Sequence, residues 1–198
     1  MPIETILALG LFAVVSSLGP GPSNFLLLAS GANFGLRRTL PQLLGVSAGL
    51  CTVMLGVGAG LGLLLAAVPA LALAVKLAGA AWLLRLAWRI GTARAMGGAG
   101  QAPARPIGFL ESAGFQWMNP KAWLAAVTAM AIYAQPDSPV ISVLVVSLAV
   151  ALGVLPSLLL WAGMGVALRD LLADPRWLRR FNIAMALLLV ASLLPLVW

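Results

Sequence analysis

Gly19-Pro20-Gly21-Pro22-Ser23-Asn24 lies near the middle of an apolar stretch that extends from Ile3 to Phe34. This stretch has 32 residues, and a continuous helix of that length would extend roughly 48 Å, well beyond the thickness of a bilayer core. The two prolines lack the N–H groups that a continuing helix needs, so we predict a break here. Ser23 and Asn24 then stand where a second half-helix begins, as N-cap residues.

A matching motif, Gln116-Trp117-Met118-Asn119-Pro120-Lys121, interrupts a second long apolar stretch from Ile107 to Ala134. Pro120 removes a helical hydrogen bond, and Asn119 is a natural N-cap for the half-helix that follows. Lys121 would lie roughly 20 Å from either end of the stretch. A charge at that depth costs about 2.5 to 3.5 kcal/mol on insertion scales, so Lys121 is a functional candidate.

The composition of the whole chain agrees with a membrane protein. Of its 198 residues, 62% are hydrophobic and 9% are charged, and the mean hydropathy is +1.06, which excludes a water-soluble globule. Histidine is absent and Cys51 is the only cysteine, so His-based nucleophile pairs, disulfides and the usual transition-metal sites are excluded. We expect no cofactor and no metal. The net charge of +7 belongs to loops between apolar segments, and we expect no nucleic-acid partner.

Six apolar segments are long enough to cross a bilayer, which predicts an all-α membrane protein with a single transmembrane domain over residues 1–198. The segments are Ile3 to Phe34, Leu40 to Val68, Ala70 to Ile90, Ile107 to Ala134, Val140 to Leu168 and Phe181 to Val197. A Gly, Ala and Pro stretch at 96–106 reads as a linker between half-repeats 1–95 and 107–198. With three helices in each half, the fourth runs antiparallel to the first, so the halves would be inverted repeats.

Arginine residues occur in alternate loops. They follow the first, third and fifth segments, as Arg37, Arg38, Arg85, Arg89, Arg94, Arg105, Arg169, Arg176, Arg179 and Arg180. Because positively charged loops stay in the cytoplasm, we predict a multi-pass protein of the bacterial inner membrane with both termini in the periplasm.

Broken helices at corresponding places in two inverted halves indicate the central site of a transporter. Two half-helix N-termini and the Lys121 ammonium favour a carboxylate, while carbonyls freed by the prolines, those of Ser16, Leu18 and Gln116, would accept hydrogen bonds from an amine. This chemistry suits a small zwitterion such as an amino acid. The candidate substrate-binding residues are Pro20, Gly21, Pro22, Ser23, Asn24, Asn119, Pro120 and Lys121, with Ser16, Gln116, Trp117 and Trp123 as further lining residues.

Other interpretations fit parts of the same pattern. The prolines could be kinks, and Trp117 and Trp123 could be packing residues rather than stacking platforms. A membrane-embedded enzyme would need Ser23 and Lys121 within hydrogen-bond reach as nucleophile and base, whereas a structural subunit would have no polar cavity between the first and fourth helices. Glu111 could titrate as a proton site or cap a helix. Glycines four residues apart, Gly31 and Gly35, Gly45 and Gly49, and Gly56 and Gly60, predict close helix packing within the monomer, with a homodimer face as the alternative.

Four stretches together resemble the LysE/RhtB-type amino-acid exporter family over essentially the whole chain. They are Pro20-Gly21-Pro22-Ser23-Asn24, the turn from Gly31 to Arg38, Leu77 to Arg89, and Asn119-Pro120-Lys121-Ala122. The resemblance implies six membrane helices and export of amino acids or derivatives coupled to the proton gradient. Where the family often has two asparagines after Pro-Gly-Pro, this chain has Ser23 and Asn24. We therefore expect a secondary transporter, not an enzyme, that exports an amino acid or a small derivative by alternating access.

Overall fold

The computed structural model describes residues 2–93, 105–135 and 137–194, apart from the side chain at 66. Within these ranges the chain is helical and contains no strand. Most of the predicted linker at 96–106 lies outside the described residues, as does the predicted loop residue Arg94.

The helices follow one another with short connections. Their bounds are α1 Ile3–Leu18, α2 Pro22–Phe34, α3 Leu36–Gly58, α4 Leu61–Ala67, α5 Pro69–Gly91, α6 Phe109–Gln116, α7 Pro120–Tyr133, α8 Pro139–Gly153, α9 Leu155–Ala167 and α10 Pro175–Ala191. A short 3₁₀ turn at Leu171–Ala173 precedes α10. Five of these helices begin at a proline, the position that best tolerates a missing N–H.

Both Pro motifs separate helices. The axes of α1 and α2 differ by 70°, and α6 and α7 are separated by Trp117 to Asn119. The second predicted segment is also divided, because Gly60 has a φ of 93°, a left-handed conformation that ends α3 and starts α4. Its first helix begins at Leu36 rather than at Leu40.

Among the residues that the structure describes, length and apolarity identify three helices that can cross a membrane, or four if the bent α1–α2 pair is one span. The three are α3, α5 and the α8–α9 pair. The fourth predicted segment is two short helices, and α10 has 17 residues. The described chain is thus all-helical, with three or four helices or helix pairs able to span a membrane.

The arginine residues predicted in loops lie mostly in helices, which corrects the expectation. Arg37 and Arg38 are in the first turn of α3, and Arg89 is in the last turn of α5. Arg85, Arg176, Arg179 and Arg180 are helical as well. Arginine has a high helix propensity, and its long apolar stem lets the charged group reach water from a helix end, so the helices continue past the apolar runs.

Close contacts join the two halves of the chain. Helix α2 packs against α9, α3 against α6 and α7, and α8 against α1, while α5 packs against α10. A Cβ added at Gly31 would collide with the carbonyl oxygen of Ala162, and one added at Gly45 would collide with that of Phe109. The predicted glycine packing within the monomer is therefore confirmed at these positions.

A buried apolar cluster runs through the bundle, from Leu9 of α1 to Leu43 of α3 and Ala162 of α9. Leu9, Val53, Ala129 and Val146 belong to it and are fully buried. Phe12 and Tyr133 add an edge-to-face ring contact with centroids 6.0 Å apart. Part of this cluster lies beside the polar residues of the two breaks.

Candidate functional site

The first break places Asn24 so that its side chain turns back over the chain. Helix α2 begins at Pro22 with Gly21 as its N-cap, so Ser23 and Asn24 lie in its first turn and are not the N-cap residues we predicted. Because proline fits the first helical position, the helix starts at Pro22, two residues earlier than an N-cap at Ser23 would give. The Nδ2 of Asn24 donates to the carbonyl oxygens of Ser17 at 2.7 Å and Gly19 at 2.8 Å.

Two of the three carbonyls that the sequence singles out near the breaks, those of Leu18 and Gln116, have partners within the protein. The Nε1 of Trp161 donates to the carbonyl oxygen of Leu18 at 3.3 Å, and the backbone N–H of Asn119 donates to that of Gln116 at 3.2 Å. Sequence reasoning expected these two oxygens to receive a substrate amine, and it missed Ser17 and Gly19. The missed signal is Asn24, whose amide reaches back by one turn.

The second break has the cap that the sequence predicts. The Oδ1 of Asn119 accepts a hydrogen bond from the backbone N–H of Lys121 at 3.1 Å, and α7 begins at Pro120. The Nδ2 of the same side chain points the other way and donates to Ser23 Oγ at 3.1 Å. Asn119 therefore holds α7 in place and also contacts the first break.

Lys121 crosses from the second break to the first. Its Nζ donates to the carbonyl oxygen of Gly19 at 2.5 Å and lies 3.4 Å from that of Pro20. Gly21 allows this approach, since a Cβ there would lie 2.9 Å from Lys121 Cδ. A charge-assisted hydrogen bond thus joins residues that are 102 positions apart in the chain.

Three buried polar side chains form a cluster beside Lys121. Gln116 Nε2 donates to Ser23 Oγ at 3.0 Å, and Asn119 Nδ2 donates to Gln116 Oε1 at 3.1 Å. Each is at most 8% exposed, so the network is buried and its hydrogen bonds are made within the protein. The hydrogen bonds of Ser23 and Lys121 go to different partners, so the nucleophile–base pair of the enzyme interpretation is not formed among the described contacts.

A cavity of about 60 Å³ lies between the two breaks, and we call it the central cavity. Its polar lining residues are Ser16, Ser17, Gly21, Ser23, Asn24, Gln116, Asn119 and Lys121. The structure thus brings together seven residues predicted from sequence, whereas Pro20, Pro22 and Pro120 shape the chain without lining it. Its apolar walls come from Val46, Leu50, Ala122, Ala125, Val154 and Leu158, which no sequence signal marked.

Trp117 and Trp123 do not line the central cavity. Their rings pack edge to face with centroids 5.9 Å apart, and they line a separate cavity of about 410 Å³ beside α4 and α5. Trp117 Nε1 donates to Thr52 Oγ1 at 3.0 Å, and Trp123 Nε1 donates to the carbonyl oxygen of Trp117 at 2.8 Å. Neighbouring helical residues point about 100° apart, so Trp117 faces away from the side that Gln116 faces.

Glu111 caps α6. Its Oε2 accepts a hydrogen bond from the backbone N–H of Gly108 at 2.8 Å and from Arg105 Nη1 at 2.6 Å. In the part of the chain that the structure describes, no cluster of three or more His, Cys, Asp or Glu side chains could hold a metal ion.

Comparison with known proteins gives the family. Residues 14–194 match the family described as LysE type translocator. The cysteine/O-acetylserine efflux protein of Salmonella typhimurium strain LT2 is 34% identical over 181 residues, 90% of each chain. The protein of the same name from Escherichia coli strain K12 is 34% identical over 182 residues, again 90% of each chain. No solved structure matches the chain. The chain belongs to the LysE type translocator family, as the sequence resemblance predicts, and is a multi-pass inner-membrane transporter rather than an enzyme.

Proposed function

We propose that the protein exports a small amino acid or amino-acid derivative from the cytoplasm by alternating access, driven by the proton gradient. The observation that carries this proposal is the hydrogen bond from Lys121 Nζ to the carbonyl oxygen of Gly19. It joins two broken helices at the wall of a polar cavity. Half-helix ends around a central cavity are how many transporters bind an anionic group.

The contact between Lys121 and Gly19 supplies both halves of a zwitterion site. A substrate carboxylate would pair with the ammonium of Lys121 and draw it from Gly19. The released carbonyl oxygen would then accept a hydrogen bond from the substrate amine. The exchange keeps the Lys121 ammonium partnered. The carbonyl oxygen of Gly19, which also accepts from Asn24, would regain the second hydrogen bond that it loses when Lys121 moves.

The size and charge of the central cavity favour a small substrate without a second positive charge. Its volume of about 60 Å³ is less than that of an amino acid, so loading requires Lys121 to move, and a cationic side chain would be repelled by it. The relatives are named for efflux of cysteine and O-acetylserine, which are compact and uncharged in their side chains. We propose this class of substrate for the present chain.

The packing of the helices supports two inverted halves, 1–95 and 107–198, with six membrane crossings. Helices α6 and α7 of the second half pack on α3, and α1 and α2 of the first half pack on α8 and α9. This reciprocal arrangement is what a pseudo-two-fold axis in the membrane plane would produce. Rocking of one half against the other would expose the central cavity to each side in turn.

The proposed orientation places both termini in the periplasm. Arg37, Arg89 and Arg176 lie in the first or last turns of α3, α5 and α10. With six crossings these ends, which we call the basic helix ends, would lie on the side of the bundle opposite the N-terminus. Under the positive-inside rule this side faces the cytoplasm. A homodimer is compatible with the apolar helix faces, and the lipid bilayer covers those that remain.

The test is efflux from vesicles that contain the purified protein and are preloaded with labelled amino acids. We expect export of cysteine, O-acetylserine or another small neutral amino acid, faster with an imposed proton gradient than without it. Lysine and arginine should stay in the vesicles. Equal efflux from protein-free vesicles for every compound in the panel would refute the proposal, and gradient-independent export would refute only the proton coupling.

A further inference from the structure

Three of the four buried side-chain polar atoms that lack a hydrogen-bond partner in the described ranges line one cavity. They are Gln42 Oε1, Trp82 Nε1 and Ser112 Oγ. Gln42 is 1% exposed and Ser112 is 3% exposed. Native proteins pair nearly all such atoms, so a group of three around one space calls for an occupant.

This space, which we call the linking cavity, has a volume of about 10 Å³, near the least that holds one water molecule. Its three unpartnered atoms offer an acceptor, a donor and a hydroxyl that can do either. The acceptors among them can accept hydrogen bonds from the ammonium of a zwitterion, and the donors can donate to its carboxylate.

The linking cavity lies between two larger ones. It shares Ser23 and Val46 with the central cavity. On its other side it shares Gln42 and Leu86 with a cavity of about 40 Å³, which we call the entry cavity. The three cavities therefore follow one another along α2, from the helix break toward the basic helix ends.

The entry cavity is walled mainly by apolar side chains, with a few basic and polar residues among them. Arg89 and Arg105 lie at it, and Arg89 Nη2 donates to the carbonyl oxygen of Arg105 at 3.1 Å. Asn33 and Asn182, both buried, are hydrogen-bonded to each other at 3.4 Å along its wall. Because Arg105 is paired with Glu111 at 2.6 Å, the attraction for the carboxylate of an amino acid would come mainly from Arg89.

The opposite end of the bundle is closed by apolar packing. Leu9, Val53, Ala129 and Val146 are fully buried there. The described conformation therefore has a series of small cavities on the basic side of the central cavity and close apolar packing on the other.

We propose that the entry and linking cavities form the cytoplasmic route by which substrate reaches the central cavity, with Gln42, Trp82 and Ser112 as its polar constriction. This inference rests on the proposed function, because it takes the substrate to be a zwitterionic amino acid. Gln42 lines both cavities. Its side chain would bind the substrate as it passes from the entry cavity to the linking cavity.

The test separates a transport role from a structural role. Gln42→Met keeps the side-chain length and removes the unpartnered oxygen, and Ser112→Ala removes the unpartnered hydroxyl. If these atoms served only the fold, their removal would lower the melting temperature. Because they lack partners, we expect it to stay the same or rise.

The rate of transport, unlike the melting temperature, should fall in both variants. Initial efflux per folded protein should fall roughly three- to tenfold in each variant, as expected for losing a hydrogen bond to the moving substrate. Ser147→Ala is the matched control, because Ser147 is fully buried, donates to Val143 within its own helix and lines none of the three cavities. It should export at the wild-type rate.

Substrate exchange at equal pH on both sides distinguishes a substrate route from a proton path. The proposal predicts the same loss in exchange as in gradient-driven efflux. A loss confined to gradient-driven efflux would overturn it in favour of a proton path, and wild-type rates in both folded variants would overturn it as well.

Thiol labelling tests the route without measuring transport. In a Cys51→Ala background, Ser112→Cys should react with 2-sulfonatoethyl methanethiosulfonate added on the side of the basic helix ends, and Ser147→Cys should not. No labelling from that side, or labelling only from the other, would overturn the route. If labelling succeeds while no amino acid is exported by the wild-type protein, the proposed function fails and the aqueous path remains.

Discussion

The Nζ of Lys121 donates to the carbonyl oxygen of Gly19 at 2.5 Å, so one of the hydrogen bonds that link the two helix breaks comes from a charged group. The contact closes the gap between α1 and α2 from the opposite half of the chain. The half-buried ammonium is tolerated there because backbone carbonyls replace the water it loses. The same contact must be exchangeable if a substrate carboxylate is to take its place.

Deleting the charge of Lys121 should abolish most export without unfolding the protein. Lys121→Met keeps an unbranched apolar side chain of similar length, and a membrane helix inserts more easily without the charge. We expect unchanged amounts of folded protein in the membrane and at least a roughly tenfold loss of efflux rate, the scale of losing a charge-assisted hydrogen bond. The measurement is efflux normalised to folded protein.

Lys76 provides the matched control, as the other lysine of the chain and an exposed residue of α5. Lys76→Met should export at the wild-type rate. Normal export by Lys121→Met would show that the substrate is held without this ammonium and would remove the carboxylate site from the proposal.

Asn24 should be a stability residue of the first break. Asn24→Leu conserves volume but removes the amide that donates to Ser17 and Gly19, leaving two carbonyl oxygens short of a partner. We expect the free energy of unfolding to fall by about 2 kcal/mol or more. Ser16→Ala, which removes only a bond to Ala13 within α1, should cost about 0.5 kcal/mol. Chemical denaturation in detergent micelles compares the two, and equal losses would contradict the bridging role of Asn24.

The sequence predicts what local chemistry determines. Pro20, Pro22 and Pro120 remove backbone donors, and the structure ends or starts helices beside each of them. Asn119 is recognisable as an N-cap because its residue type and its place before a proline suffice. The apolar pattern likewise predicts the helical membrane class without any tertiary information.

Contacts between residues that are distant in the chain cannot be predicted from local sequence in this way. The partner of Lys121 is 102 residues away, and the cluster that Gln42 joins depends on how α3, α5 and α6 pack. Trp117 adjoins the polar motif in sequence but faces a different cavity. Because helical neighbours differ by about 100° in direction, proximity along the chain does not predict a shared site.

Gly31 should be intolerant of any side chain. A Cβ there would collide with the backbone of Ala162 in α9, and backbone cannot move aside as a flexible side chain can. Gly31→Ala should therefore lower stability by about 1 to 3 kcal/mol through overpacking. At Gly163 an added Cβ meets nothing within 4 Å, so Gly163→Ala should be neutral or slightly stabilising. The measurement is the melting temperature of each variant. Similar melting temperatures for Gly31→Ala and Gly163→Ala would contradict close packing of α2 on α9.

The basic helix ends predict the sidedness of the protein. A reporter active only in the periplasm should be active when fused after Trp198, and a reporter active only in the cytoplasm should be silent there. The opposite result would reverse the proposed orientation and turn the entry cavity toward the periplasm. Replacing Arg176, Arg179 and Arg180 together should weaken the preference, because the positive charges set it.

Substitutions of Trp123 distinguish a packing role of this residue from a role in stacking on the substrate. Its indole donates to the carbonyl oxygen of Trp117 and its ring contacts the Trp117 ring, on the far side from the central cavity. Trp123→Phe should lose that hydrogen bond, about 1 kcal/mol of stability, and keep its efflux rate per folded protein.

Trp123→Leu removes the aromatic ring as well and should be less stable by about 2 kcal/mol or more, because it leaves a cavity beside Trp117. Its efflux rate per folded protein should still match that of the wild type. Stacking on a substrate would be worth about 0.5 to 1.5 kcal/mol, so its loss would slow export roughly two- to tenfold in the Leu variant but much less in the Phe variant. That difference in efflux would place Trp123 at the substrate and would require the site to extend into the cavity beside α4 and α5.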